Sequence, residues 1–283
     1  MNLSSNSLFH FTDSIENVKS ILADKIYGSY CKETLHYKAD AITLIIPMIC
    51  FCDIPLKTIS QYTKYGRYGI GLKKGWGIKN QLNPVLYLEK SSRVADSLIK
   101  SLRCSLTTIA VNSPKIDELM KKYHQVEANQ NMTAGHKMLE YLRINLELKK
   151  YSDMNAPMEH IIYSLYYTKH YADDLERNGE VTKGYRFYDE REWRYLPDFT
   201  CAVCELRRTE EEYNNWRGNS KQKPILKEVN LTFLFEEIDQ IIVAEEKEVK
   251  EIREMIKSIP NCSDPQKEEL YSKILSFEKI MDM

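Results

Sequence analysis

The sequence predicts an α+β fold built on a mostly antiparallel sheet. Three observations carry this. Short β-branched apolar runs lie towards both ends of the chain. A Lys/Glu/Leu/Met-rich stretch with few breakers, Pro114–Arg177, separates them. No segment repeats. The expected organisation is a single α+β domain over 1–283, with 114–177 a helical insertion or layer and further helices closing the chain.

Leu8–Phe11 reads as a strand. Asp13, with Glu16 three residues on, fits a capping box, and Ile15, Val18, Ile21 and Leu22 follow at helical spacing. Ser14–Asp24 is therefore expected as an amphipathic helix. Ile42–Phe51 is a β-branched apolar run, a buried strand that Pro47 should break. Asp53 as cap and Pro55 in the first turn start a helix towards Tyr65. Tyr68–Leu72 and Val85–Glu89 alternate as strands, joined through a Gly75-Trp76-Gly77 turn and Asn83-Pro84.

Pro114–Lys150 reads as helix interrupted near Asn129–Thr133, and Met158–Arg177 also has a helical pattern. Glu192–Leu196 is expected as a strand and Glu210–Lys223 as a polar loop. Leu231–Phe235 and Ile238–Val243 read as strands. Lys247–Ile259 and Pro265–Ile280 read as amphipathic helices.

Composition removes several classes of function. The 283 residues carry 40 Lys+Arg against 41 Asp+Glu, a net charge of -1, so no general affinity for nucleic acid is expected. A hydrophobic share of 43% with 29% charged is that of a folded globular chain. The longest apolar run, Ala41–Cys52, is too short to span a bilayer, so no membrane partner is expected. Met1–Ser7 lacks the order of a signal peptide, and the seven cysteines are expected as reduced thiols in a cytoplasm. Ten glycines leave little room for a phosphate loop, and neither a P-loop nor G-x-G-x-x-G is present.

Three constellations could carry chemistry. In Leu8-Phe9-His10-Phe11-Thr12, a histidine at a strand end with Thr12 two residues on could donate to a ribose hydroxyl, or could be structural. In Met48–Leu56, Phe51, Asp53 and a following helix with Tyr62 or Tyr65 could wall a pocket, or be a buried strand with its cap. Cys50-x-Cys52 with Cys201-x-x-Cys204 only loosely matches zinc spacing, so buried thiols are expected and no metal. The third run, Tyr185–Tyr195, is the densest. Alternation puts Glu190, Glu192 and Arg194 on one face and Arg191, Trp193 and Tyr195 on the other. Glu192 could stabilise a cation or orient a sugar hydroxyl, and Arg191 or Arg194 could hold a pyrophosphate. A surface strand with cross-paired charges is the alternative.

Together, Leu8–Thr12, Pro47–Leu56, Tyr65–Leu72 with Trp76-Gly77-Ile78, Asn83–Tyr87 and Phe187–Tyr195 resemble the AbiGi family, over about residues 8–200. That resemblance implies bacterial abortive-infection phage resistance, on the antitoxin side of a two-gene system. The order His-x-Thr, then Phe-x-Asp with a Tyr-bearing helix, then a late Glu is also similar to the ADP-ribosyltransferase fold. This more distant resemblance implies NAD as cosubstrate and a macromolecular acceptor. Under it His10 bonds the nicotinamide-side ribose, and Glu192 bonds the ribose 2′-hydroxyl and stabilises the oxocarbenium-like transition state, with Glu190 as its stand-in. At the middle position the sequence departs from the pattern: Cys50 stands at the motif tyrosine. Tyr62 falls near the second stacking aromatic, with Tyr65 and Tyr68 as alternatives. Two functions are thus implied: an NAD-dependent transferase, or a non-enzymatic antitoxin on a degenerate scaffold that silences a cognate toxin.

Overall fold

Strand β1, Ser7–Thr12, lies at the centre of the sheet. It alternates between two apolar faces and runs antiparallel to β4, Tyr68–Lys73, from Ser7 opposite Lys73 to Thr12 opposite Tyr68. The computed structural model describes residues 4–37, 40–177, 180–198, 208–218, 225–260 and 262–282, with side chains at all of these except 37, 40, 60–64 and 177. These residues form a mixed α+β structure with a mostly antiparallel sheet and several helices. The chain divides into two compact units. One comprises Met1–Leu35, Thr43–Glu89 and Lys169–Met283, and the other His36–Ile42 and Lys90–Thr168.

The first unit holds the sheet. Helix α1, Ile15–Ala23, follows β1 as expected, but Ser14 rather than Asp13 is its cap, its hydroxyl accepting from the Asn17 N–H. Strand β2, Ile26–Tyr37, leads to β3, Asp40–Cys52. Pro47 does not break β3, because the fixed φ of proline suits extended backbone and only its missing N–H is a cost. Leu56–Tyr65 is a 3-10 helix rather than an α-helix. Gly66 turns the chain at φ +117, where an added Cβ would meet the Thr12 carbonyl oxygen at 1.8 Å.

The expected Gly75–Gly77 turn is a short helix, α2, Lys74–Lys79. Trp76 is buried there and its Nε1–H donates to the Thr232 carbonyl at 3.0 Å. Short strands β5, Asn83–Pro84, and β6, Leu86–Leu88, follow. After the second unit come β7, Thr168–His170, β8, Asp173–Arg177, and β9, Glu180–Tyr185. Helix was expected over part of this range. It ends at Leu165, whose carbonyl accepts the Thr168 hydroxyl at 2.6 Å, and aromatic and β-branched Tyr166-Tyr167-Thr168 favours extended chain.

Strand β10, Glu192–Tyr195, is followed by α5, Glu210–Arg217, β11, Leu226–Leu231, and β12, Ile238–Val243. Glu210–Arg217 was expected as loop; a Thr209–Glu212 capping box makes it helical. Leu231–Phe235 was expected as a strand, but the strand ends at Leu231. Helices α6, Val249–Ser258, and α7, Asp264–Ser272, then β13, Ile274–Ser276, and α8, Phe277–Met281, close the chain.

Among the described residues the main sheet has nine strands. Its path is β11-β2-β3-β1-β4-β12-β13, with β10 paired to β3 and β5. Leu8, Phe51, Ile70, Ile241 and Ile256 belong to the larger core cluster, and Phe9, Ile54, Ile59, Ile242 and Phe277 to a smaller one. Fully burying each such side chain contributes about 1.5–3 kcal/mol.

The second unit is dominated by two long helices packed together, α3, Arg93–Ala128, and α4, Ala134–Leu165. The expected interruption near Asn129–Thr133 is present, but helix begins at Arg93 rather than Pro114, and Pro114 lies inside it. Asn112 Nδ2 donates to Asn155 Oδ1 at 2.7 Å between the helices, and both residues are buried. Among the described residues no helix is long and apolar enough to cross a membrane.

Candidate functional site: a buried charge cluster on one sheet face

Cys52 of β3 lies between Phe9 of β1 and Glu192 of β10 in one row across three strands. Directly paired residues share a face, so Phe9, Cys52 and Glu192 point to one side. Arg194, opposite Cys50, points the same way. His10, one residue along from Phe9, points to the other.

On the first face the charges converge. Arg194, fully buried, donates from Nε to Glu192 Oε1 at 2.6 Å and from a terminal nitrogen to Glu33 Oε1 at 2.8 Å. Lys169 Nζ reaches Glu192 Oε2 at 2.7 Å and Glu190 Oε2 at 2.9 Å. The Tyr65 hydroxyl donates to the other oxygen of Glu190. The Glu192 backbone N–H donates to the Tyr87 hydroxyl at 2.7 Å, and Lys169 sits 4.6 Å above the Phe187 ring.

Local geometry explains the convergence. Glu190 ends a 3-10 turn, Phe187–Glu190, and Arg191 takes a left-handed conformation at φ 46 before β10 begins. The Arg191 carbonyl accepts the Asp53 N–H at 3.1 Å, tying this turn to the end of β3.

The two carboxyls are driven apart. For Glu192 burial favours the neutral acid, but the Arg194 and Lys169 charges outweigh it and hold the carboxyl well below the usual range. For Glu190 burial wins, and with Glu192 beside it the carboxyl is raised despite Lys169. Burial also pushes the Tyr65 hydroxyl up. The Cys50 thiol is raised by its hydrogen bond to Cys31 and by burial, and the Cys52 thiol by burial.

The other expected site residues are placed elsewhere. His10 Nδ1 lies 2.8 Å from the Cys50 carbonyl, and its ring packs at 5.5 Å against Phe51 on the second face. A carbonyl only accepts, so Nδ1 carries the proton, and burial lowers the His10 pKa. The Thr12 hydroxyl accepts from Asn17. Asp53 anchors the N-terminal segment through the Ser4 hydroxyl, the Ser5 N–H and Lys74 Nζ, the last at 2.8 Å. The Tyr62 side chain, Cys201 and Cys204 lie outside the described residues. Among the described residues no group of three or more His, Cys, Asp or Glu side chains could hold a metal ion.

Glu190, Glu192, Arg194 and Tyr65 are thus brought together, while His10, Thr12, Phe51 and Asp53 are not brought to them. The sheet register turns His10 and Glu192, both expected at one NAD cradle, to opposite faces, because they are offset by one residue. The residues do not fit NAD as one set. Sequence reasoning missed Lys169, Glu33 and Tyr87. Inward alternation of Ile26, Gly28 and Tyr30 was a usable signal for the strand bearing Glu33, but none marked Lys169.

A family profile described as "Putative abortive phage resistance protein AbiGi, antitoxin" matches residues 24–244, most of the chain. The chain belongs to the AbiGi family. The "Abortive phage resistance protein AbiGi" of Lactococcus lactis subsp. cremoris is 29% identical over 161 residues, covering 54% of this chain and 52% of that protein. The chain therefore spans about half the length of the curated relative it matches. No solved structure matches it.

Proposed function

We propose that this AbiGi protein is the toxin-neutralising member of a phage-defence pair and acts by binding its toxin. One observation carries the choice of binding over chemistry. Both Glu192 oxygens are already engaged, by Arg194 and Lys169, with the Glu192 side chain only 5% exposed. A buried carboxylate held on both oxygens by cations is a structural tie, with little surface open to an incoming sugar. The family description supports the same reading.

The competing reading is an ADP-ribosyltransferase-like fold that transfers ADP-ribose from NAD to a macromolecule. The opposed pKa values of Glu190 and Glu192 resemble an acid–base pair, but His10 on the far face leaves that pair without its ribose partner.

Two measurements on one preparation separate them. The chain is co-expressed with the product of its adjoining gene and growth is followed; NAD is then titrated into the purified chain by calorimetry, beside His10→Ala. Restored growth without heat from millimolar NAD is expected. Failure to restore growth, or saturable NAD binding lost in His10→Ala, would overturn the proposal.

A further inference from the structure

Helices α3 and α4 pack together across a short turn, with the Asn112–Asn155 bond as a polar layer midway along them. Counted away from that bond in opposite directions, Ile116 is level with Tyr151, Leu119 with Leu148 and Tyr123 with Ile144. These six are buried or half-buried, and every other residue over 116–123 and 144–151 is exposed. Spacing of three then four residues is that of a coiled-coil seam. The Tyr123 and Tyr141 rings, centroids 4.7 Å apart, continue the contact beyond it. The outer half of the pair therefore has an apolar seam of its own.

Both backbones are interrupted at the polar layer. Pro114 stands two residues after Asn112 and Pro157 two residues after Asn155, and each helix runs on through its proline. Proline has no N–H, so Pro114 leaves the Ala110 carbonyl without its helical donor, and Pro157 does the same to the Asp153 carbonyl. The same count sets Ala110 level with Pro157, and Asp153 level with Pro114. One ladder bond is thus missing from each helix in a single slice. All four residues are exposed, so water reaches the freed carbonyls. The Ser113 hydroxyl bonds back to the Ile109 carbonyl at 3.0 Å, which slackens α3 further at this level.

A proline in one helix alone would be splinted by an intact neighbour. Here neither helix can splint the other. The buried amide pair has a matching role: a polar layer in an apolar seam fixes register at a cost in stability. It keeps the helices from sliding where their ladders are weakest.

From this geometry we infer that α3 and α4 form a jointed arm. Its outer half, residues 115–152, swings as one body about the Asn112–Asn155 layer, with the two prolines as the joint and the amide bond as its pin. Hinges of this kind move on microsecond to millisecond times. The inference goes beyond the antitoxin reading and does not depend on it.

The test uses the full chain. Spin labels are carried on ketone-bearing unnatural residues in place of Val94 and Met138, which are exposed and lie on either side of the joint along the pair. The native cysteines stay unlabelled. The distance distribution is compared with that of Pro114→Ala/Pro157→Ala, and hydrogen exchange is followed by mass spectrometry on both chains without labels. Alanine is the better helix former at these exposed positions, so the variant folds. The wild-type distribution should be at least about twice as wide as the variant's. Wild-type peptides over 110–118 and 153–161 should exchange at least about 10-fold faster than those over 119–126 and 141–148, a gap that the variant closes.

A wild-type distribution as narrow as the variant's would overturn the inference. So would an outer half that exchanges as fast as the joint, because the pair would then fray from its tip and not swing as a body. Either failure leaves the antitoxin reading untouched, since growth on co-expression tests that separately.

Discussion

Lys169 Nζ lies 2.7 Å from Glu192 Oε2, although 23 residues separate the two in the chain and both are buried. The contact joins strand β7 to strand β10 below the surface. Replacing Lys169 by Met leaves Glu192 with Arg194 alone and Glu190 without a cation. Removing one partner of a buried pair costs about 3–5 kcal/mol. Thermal unfolding of Lys169→Met should therefore fall by roughly 10 °C. A shift under about 2 °C would show that the cluster is not a structural tie.

The two glutamates should respond unequally. Glu192 is held ionised by its neighbours, whereas burial already opposes ionisation of Glu190. Glu192→Gln should thus destabilise the chain by several kcal/mol, and Glu190→Gln by about 1 kcal/mol or less. Urea midpoints with matched slopes measure both. Equal losses would mean that the carboxyls share one environment.

Acid should weaken the fold through Glu192. Its folded pKa is depressed, so the stability it contributes is complete above the unfolded value of about 4.3 and is lost as pH falls towards the folded one. Glu190 has the opposite sign: its raised pKa costs stability as pH rises from about 4.3 through its folded value. His10 also has a lowered pKa, so its contribution declines as pH drops below about 6.5. His10→Gln should flatten the slope of stability between about pH 6.5 and 5, measured by urea melts across that range. An unchanged slope would remove His10 from the account.

Asn112 and Asn155 make a separable test in the helical unit. Each single Leu substitution strands a buried amide and should cost about 1–3 kcal/mol, while the double Leu variant should regain most of that. A double-mutant cycle by denaturant unfolding gives the coupling. Strict additivity would show that the bond adds nothing beyond its parts.

Legibility from sequence followed the physics of each segment. Strands β1, β4, β10 and β12 were readable because alternation or an unbroken apolar run is a local property. Glu192 and Arg194 were grouped on one face for the same reason, whereas Glu190 joins them through a 3-10 turn and the left-handed Arg191 rather than through strand alternation. Strand β2 went unread because Lys32, Glu33 and His36 put polar side chains on both of its faces after the inward run of Ile26, Gly28 and Tyr30. The partnership of Lys169 with Glu190 and Glu192 was not readable at all. It is tertiary, and the helical pattern around Met158–Leu165 masked the change to strand. The face His10 takes was not readable, because it depends on pairing with β3, and register between distant strands is set by the fold as a whole.

Strand β4 has its two partners at opposite extremes of the chain, β1 at residues 7–12 and β12 at residues 238–243. During synthesis its second edge therefore stays open while the ribosome makes most of the protein. Such high contact order slows folding and leaves a pairing edge exposed to other nascent chains. A stop codon before Ile238 would release an open-edged sheet in place of a smaller folded protein, so the cell's supply of this protein depends on finishing every copy.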